Sequence, residues 1–114
     1  MKWDKAARRK KAKEWLEHLD DRLCAPGIPI RIGPEIPRKE KRAGYCETVS
    51  EPGFRGFQIR YEAGCTKQEL ADTIEHEYAH YLSESSPQIP TDGEHGAIFG
   101  VYRAAVYRIM NTVT

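Results

Sequence analysis

Cysteine is scarce in this chain, and the little there is forms no pattern. Cys24, Cys46 and Cys65 are the three cysteines in 114 residues. The number is odd, the spacing is wide and no Cys-x-x-Cys occurs, which argues against a disulfide framework or a cysteine-rich zinc knuckle. Long apolar runs are missing as well. No stretch approaches the roughly 18 apolar residues of a membrane span, so no membrane partner is expected. Charge of one sign is not in excess, with a formal net charge of +1. Neither a repeat period nor a biased tract is present, which excludes collagen, solenoid arrays and low-complexity disorder. No apolar segment follows the basic N-terminus, so a secretory signal is not expected. The reading is a cytoplasmic protein with reduced thiols.

What is present fits one domain over residues 1–114. Hydrophobic residues make up 39% and charged residues 31%, enough for a small core but not a large one. The charges are unevenly placed. Lys2, Lys5, Arg8, Arg9, Lys10, Lys11 and Lys13 crowd residues 2–13, and Arg38, Lys39, Lys41 and Arg42 form a second basic run at 38–42. Either run would suit nucleic acid, although a solvated surface, frayed over residues 1–13, is the plainer expectation. Its distance in sequence from the motif described below, and cations placed at the start of a helix, make the N-terminal basic segment dispensable for that motif's site, so a truncation starting near Lys13 should keep the core stripe.

Hydrophobic spacing predicts a helix over 3–23, with Ala12, Trp15, Leu16, Leu19 and Leu23 on one stripe. Ile28, Ile30 and Ile32 alternate as in a short strand, limited by Gly33-Pro34 and Pro37. Residues 43–50 and 54–62 flank the turn signal Ser50-Glu51-Pro52-Gly53 and read as a hairpin, with Phe57, Ile59 and Tyr61 on one face. Thr66-Lys67-Gln68-Glu69 is a capping-box sequence that opens a second helix. Leu70, Ile74, Tyr78, Tyr81 and Leu82 form its apolar face, and Pro87 ends it. A third helix runs to about Met110, with Asp92 as a candidate N-cap and His95, Ile98, Phe99, Tyr102, Val106, Ile109 and Met110 on one stripe. The fold class is α+β: an N-terminal helix, a short two- or three-stranded antiparallel sheet, a central helix and a C-terminal helix.

The chemistry is concentrated in His76-Glu77-Tyr78-Ala79-His80. This is an H-E-x-x-H motif on a helix, so the two histidines at i and i+4 project from one side and can share a zinc ion. Glu77 stands beside that pair, placed to act as a general base rather than a ligand. A catalytic zinc takes three protein ligands. His95, past a Pro/Gly loop at the start of the third helix, is the leading third ligand, and Glu94 is its rival. Asp92 and Glu94 are also candidates to accept an N–H from a ligand histidine. His18 reads as surface. Tyr102 is a candidate to stabilise an oxyanion, although a core aromatic is the plainer reading. Cys65 lies near a helix N-terminus, which favours a thiolate, but no His or Asn partner can be placed beside it.

His76, Glu77, His80, His95, Gly96 and Phe99 together make H-E-x-x-H followed by H-G-x-x-F. Over about residues 54–110 this resembles the SprT-like group of zincin metallopeptidases and the related WLM group. The resemblance implies a zincin-like domain binding Zn²⁺ through His76, His80 and His95. It also implies an edge strand at about Phe57–Tyr61 that pairs with an extended peptide. No cysteine follows Cys65, so the zinc ribbon of some SprT-like proteins is not expected. No metzincin-type run follows the motif either. Some family members act near DNA, which the basic runs would suit. The expected function is zinc-dependent hydrolysis of a protein or peptide substrate, with Glu77 as the base. The alternatives are a zinc-stabilised binding or regulatory module that hydrolyses nothing, and a nucleic-acid-associated adaptor.

Overall fold

The structure, a computed structural model, describes residues 2–23, 27–85 and 97–114. Helix α1 spans Lys5–Leu23, β1 Ile30–Ile32, β2 Gly44–Glu51, β3 Phe54–Tyr61, α2 Lys67–Glu84 and α3 Ala97–Met110, with a 3-10 turn at Arg38–Glu40. The described residues thus form a small α+β fold of three α-helices and one three-stranded sheet.

The helices form where apolar spacing and capping agree. On α2 the Thr66 hydroxyl accepts from the Glu69 amide at 3.1 Å, and the Glu69 carboxylate accepts from the Thr66 amide at 2.8 Å. Both halves of the capping box are therefore made. Leu70, Ile74, Tyr78, Tyr81 and Leu82 are all buried. Asp4 immediately precedes helix α1, and its carboxylate accepts from the Ala7 amide at 2.9 Å. It buries Ala12, Trp15, Leu16 and Leu19, with Leu23 partly buried beside them. On α3, Phe99, Val106 and Met110 are buried, and Tyr102 and Ile109 pack against the same core. Asp92, the expected cap of α3, lies outside the described residues.

The sheet departs from expectation in two ways. The β2–β3 hairpin is antiparallel and closes at Pro52-Gly53, where Gly53 takes a φ of 90° that L side chains rarely adopt. Strand β1, however, pairs with β3 in parallel, so the sheet is mixed rather than antiparallel. The strand order is β1-β3-β2, which places β3 in the centre. Residues Phe57–Tyr61 are therefore not an edge. Ile59 faces Ile32 of β1 on one side and Cys46 of β2 on the other. The cause is the segment between β1 and β2. Two prolines and the 3-10 turn carry the chain past β1, so β1 meets the far side of the hairpin. The isolated bridge between Ile36 and Glu62 extends the parallel pairing.

The N-terminal basic segment is built into the fold rather than frayed. The Trp3 indole donates to the Cys65 carbonyl at 2.8 Å. Arg8 is buried and grips Glu35 with two nitrogens, Nε to Oε2 at 2.7 Å and a terminal nitrogen to Oε1 at 3.1 Å. Arg9 donates to the carbonyls of Gly33 and Ile32, both at 3.2 Å. These arginines satisfy carboxylate and carbonyl oxygens at the end of β1 that burial would otherwise leave unpaired. No described helix is long and apolar enough to cross a membrane.

Candidate metal centre

Helix α2 packs on the inner face of the sheet and against α1 and α3. Tyr78 and Tyr81 set its rotation. The Tyr78 hydroxyl donates to Asp20 of α1 at 2.5 Å, and the Tyr81 hydroxyl donates to the Ile28 carbonyl at 2.6 Å. With those residues turned inward, His76 and Glu77 reach a cleft of about 390 Å³ together with His80. Arg42 and Gly44 at the start of β2 line the same cleft, as does Arg103 of α3.

Within the cleft the two imidazoles converge. Nε2 of His76 lies 3.2 Å from Nε2 of His80. Two nitrogens bound to one tetrahedral zinc at about 2.0–2.1 Å stand about 3.3–3.4 Å apart. The spacing therefore fits a shared ion, and it equally permits one ring to donate a hydrogen bond to the other. His80 and Glu77 are buried and His76 is half-buried. Phe99 covers both rings, with centroids 5.2 Å from His76 and 4.4 Å from His80. The last residue of the H-G-x-x-F motif thus seats the start of α3 on the histidine pair.

Gly44 brings β2 close to Glu77. A Cβ on Gly44 would stand 3.1 Å from Oε2 of Glu77 and 2.5 Å from Cγ2 of Thr73. The cleft also contains a cation that sequence reasoning did not single out. Arg103 donates from Nε to Glu75 at 2.9 Å and approaches Nδ1 of His76 at 2.9 Å with a terminal nitrogen. Its signal in the sequence is a charge inside the apolar run of α3. Tyr102, the oxyanion candidate, is instead half-buried against the core, and its neighbour Arg103 lines the cleft.

The remaining candidates separate from the pair. His18 stands 3.3 Å from the Thr112 hydroxyl, between α1 and the turn after α3. Cys65 is buried, and burial pushes its thiol up to about 11, which removes it as a nucleophile at neutral pH. Burial likewise raises Cys46, with the charges of Glu84 and Glu77 adding to the shift. His95 and Glu94, the two candidates for a third ligand, lie outside the described residues, as do Cys24, Asp92 and Gly96. Among the described residues no group of three or more His, Cys, Asp or Glu side chains is placed to hold one ion. In the basic run at 38–42, the Arg42 guanidinium stacks 4.1 Å from the Tyr45 ring centroid. Comparison with protein-family models, with curated proteins and with solved structures finds no match to this chain.

Proposed function

We propose that the chain is a zinc-dependent metallopeptidase. The observation that carries this reading is the 3.2 Å approach of the His76 and His80 Nε2 atoms in one cleft with the Glu77 carboxylate. In this reading His76, His80 and His95 hold the ion. Zn²⁺ bound there supplies Lewis-acid chemistry, acidifying a water and polarising the scissile carbonyl. Glu77 accepts the proton of the attacking water and delivers it to the leaving amine. Its burial beside Gly44 keeps the carboxylate turned into the cleft. Phe99 fixes the two imidazole planes, and Arg103 presents a positive charge at the mouth.

The extended substrate lies along β2. Strand β3 is flanked on both sides, whereas β2 is an outer strand among the described residues and begins at the cleft with Gly44. An outer strand offers unpaired backbone groups to an incoming chain, which is the chemistry of peptide recognition by strand addition.

Metal analysis of the purified chain, paired with cleavage of an unstructured protein substrate, tests this reading. One zinc per chain is expected, reduced sharply by His95→Ala and unaffected by His18→Ala. Glu94→Ala abolishing binding while His95→Ala spares it would reassign the third ligand. Glu77→Gln should retain zinc and lower cleavage by about 10²–10⁴. Equal cleavage by both forms would remove the mechanism. A zinc-loaded chain that cleaves nothing, and whose biological role survives Glu77→Gln, would be a zinc-stabilised binding module. DNA retention that persists after zinc removal would favour the adaptor reading.

A further inference from the structure

A second cavity, of about 420 Å³, lies between the first two turns of α1 and the ends of β1 and β3. It shares no lining residue with the histidine cleft. Lys5 and Arg9, one helical turn apart, lie on one side, Arg31 and Gly33 on another, and Tyr61 forms part of the wall.

The hydrogen-bonding groups here are unbalanced. Most acceptors around the cavity are already engaged. The carbonyls of Ile32 and Gly33 take Arg9, and that of Pro34 takes Arg60 at 2.9 Å. Both carboxylate oxygens of Glu35 take Arg8, and Oε1 of Gln58 takes Arg31 at 3.0 Å. Donors remain. Lys5 is exposed and makes no hydrogen bond or ion pair with another described residue. A guanidinium carries five N–H donors, and Arg9 makes two such bonds. The Tyr61 side chain is fully buried, and its hydroxyl is the one buried side-chain nitrogen or oxygen among the described residues without a partner. Burial pushes that hydroxyl up to about 12, so it stays protonated at neutral pH and can donate. A buried donor with no acceptor is costly unless something supplies one.

Charge points the same way. Arg8 neutralises Glu35, and Arg31 pairs with Glu51 at 2.7 Å, so Lys5 and Arg9 carry the surplus. Gly33 keeps the space open: a Cβ there would come within 2.7 Å of Cδ of Gln58. The volume is that of a small-molecule site.

We propose that this cavity binds a small ligand bearing an oxyanion, a phosphate or a carboxylate, through Lys5, Arg9 and the Tyr61 hydroxyl. The site is independent of the histidine pair, so it stands whether or not the chain is a peptidase. Its test is a titration of the full chain with inorganic phosphate at constant ionic strength, read by amide and guanidinium NMR. The Gly33 amide and the Arg9 Nε resonance should shift and saturate. Parallel titrations with citrate and with a short DNA duplex separate phosphate, carboxylate and polymer. Lys5→Gln, an exposed change that leaves the core intact, should weaken binding about tenfold, the worth of one charge-assisted contact. Tyr61→Phe should weaken it several-fold without lowering the melting temperature of the free protein. No saturable shift with phosphate or citrate up to about 10 mM, a weak-binding limit, would overturn the proposal. So would shifts undiminished in both variants, or binding of the duplex alone.

Discussion

A terminal guanidinium nitrogen of Arg103 stands 2.9 Å from Nδ1 of His76. Guanidinium only donates, so Nδ1 of His76 accepts. A neutral His76 then carries its proton on Nε2, the atom that faces His80. Metal-ligating histidines instead donate from the nitrogen that is not bound to metal. For the zinc site proposed above, Arg103 would therefore oppose metal at His76, both by fixing the tautomer and by its charge. Arg103→Gln removes the charge and offers a carbonyl that can accept from Nδ1. Zinc affinity, measured by competition with a chromophoric chelator, should rise about tenfold, the lower range for changes around ligand histidines. A fall in affinity would show instead that the guanidinium supports the ligand.

Gly44 is where the sheet approaches Thr73 and Glu77 closely. Its missing side chain lets β2 approach Thr73 and Glu77. Gly44→Ala forces a Cβ to 2.5 Å from Cγ2 of Thr73 and should cost about 1–3 kcal/mol, the usual range for overpacking. Thr73→Ser removes that methyl group. In a double-mutant cycle by urea denaturation, Thr73→Ser should recover part of the loss caused by Gly44→Ala. Strict additivity of the two changes would mean that the strain lies elsewhere.

Much of this arrangement is local and so was legible in the residues. The α2 face from Leu70 to Leu82, the capping box at Thr66 and Glu69, and the hairpin around Pro52-Gly53 each depend on neighbours a few positions apart. The convergence of His76 and His80 follows from one helical turn. What escaped depends on pairing across long stretches of chain. The parallel pairing of β1 with β3, and the central position of Phe57–Tyr61, require knowing how residues 33–43 cross. Arg8 and Glu35 meet across 27 positions, and Arg103 and His76 also across 27. A basic run looks like solvated surface until its carboxylate and carbonyl partners are placed.

The Arg8–Glu35 pair is buried, with side chains 11% and 9% exposed, and it is bidentate. Glu35→Ala would leave the guanidinium buried without its anion and should cost about 3–5 kcal/mol. Glu51→Ala, which breaks the more exposed pair with Arg31, should cost under about 1 kcal/mol. A truncation starting at Lys13 removes Trp3, Arg8 and Ala12 together and should abolish cooperative melting. Retention of a wild-type melt by that truncation would show that the contacts of residues 3–12 contribute little.

Asp20 gives the fold a pH dependence of definite sign. Its carboxyl is held above its ordinary value of 3.8, first by desolvation and also by repulsion from Asp21, while the Tyr78 hydroxyl opposes the shift. The folded chain therefore keeps the Asp20 proton more tightly than the unfolded chain does. Below about 3.8 this difference favours folding in full, and it is lost as pH rises through the folded value. At neutral pH the ionised group is a partly desolvated charge, steadied by its bond to Tyr78. Asp20→Asn removes the titration but keeps an oxygen for the Tyr78 hydroxyl. Relative to wild type, the variant should therefore gain stability as pH rises from about 3 to 7, read by urea denaturation across that range. Tyr78→Phe does the reverse. It removes the one bond that favours the ionised form, so its cost relative to wild type should grow over the same range. A stability difference for Asp20→Asn that stays flat, or that falls as pH rises, would show that folding does not raise the affinity of Asp20 for its proton.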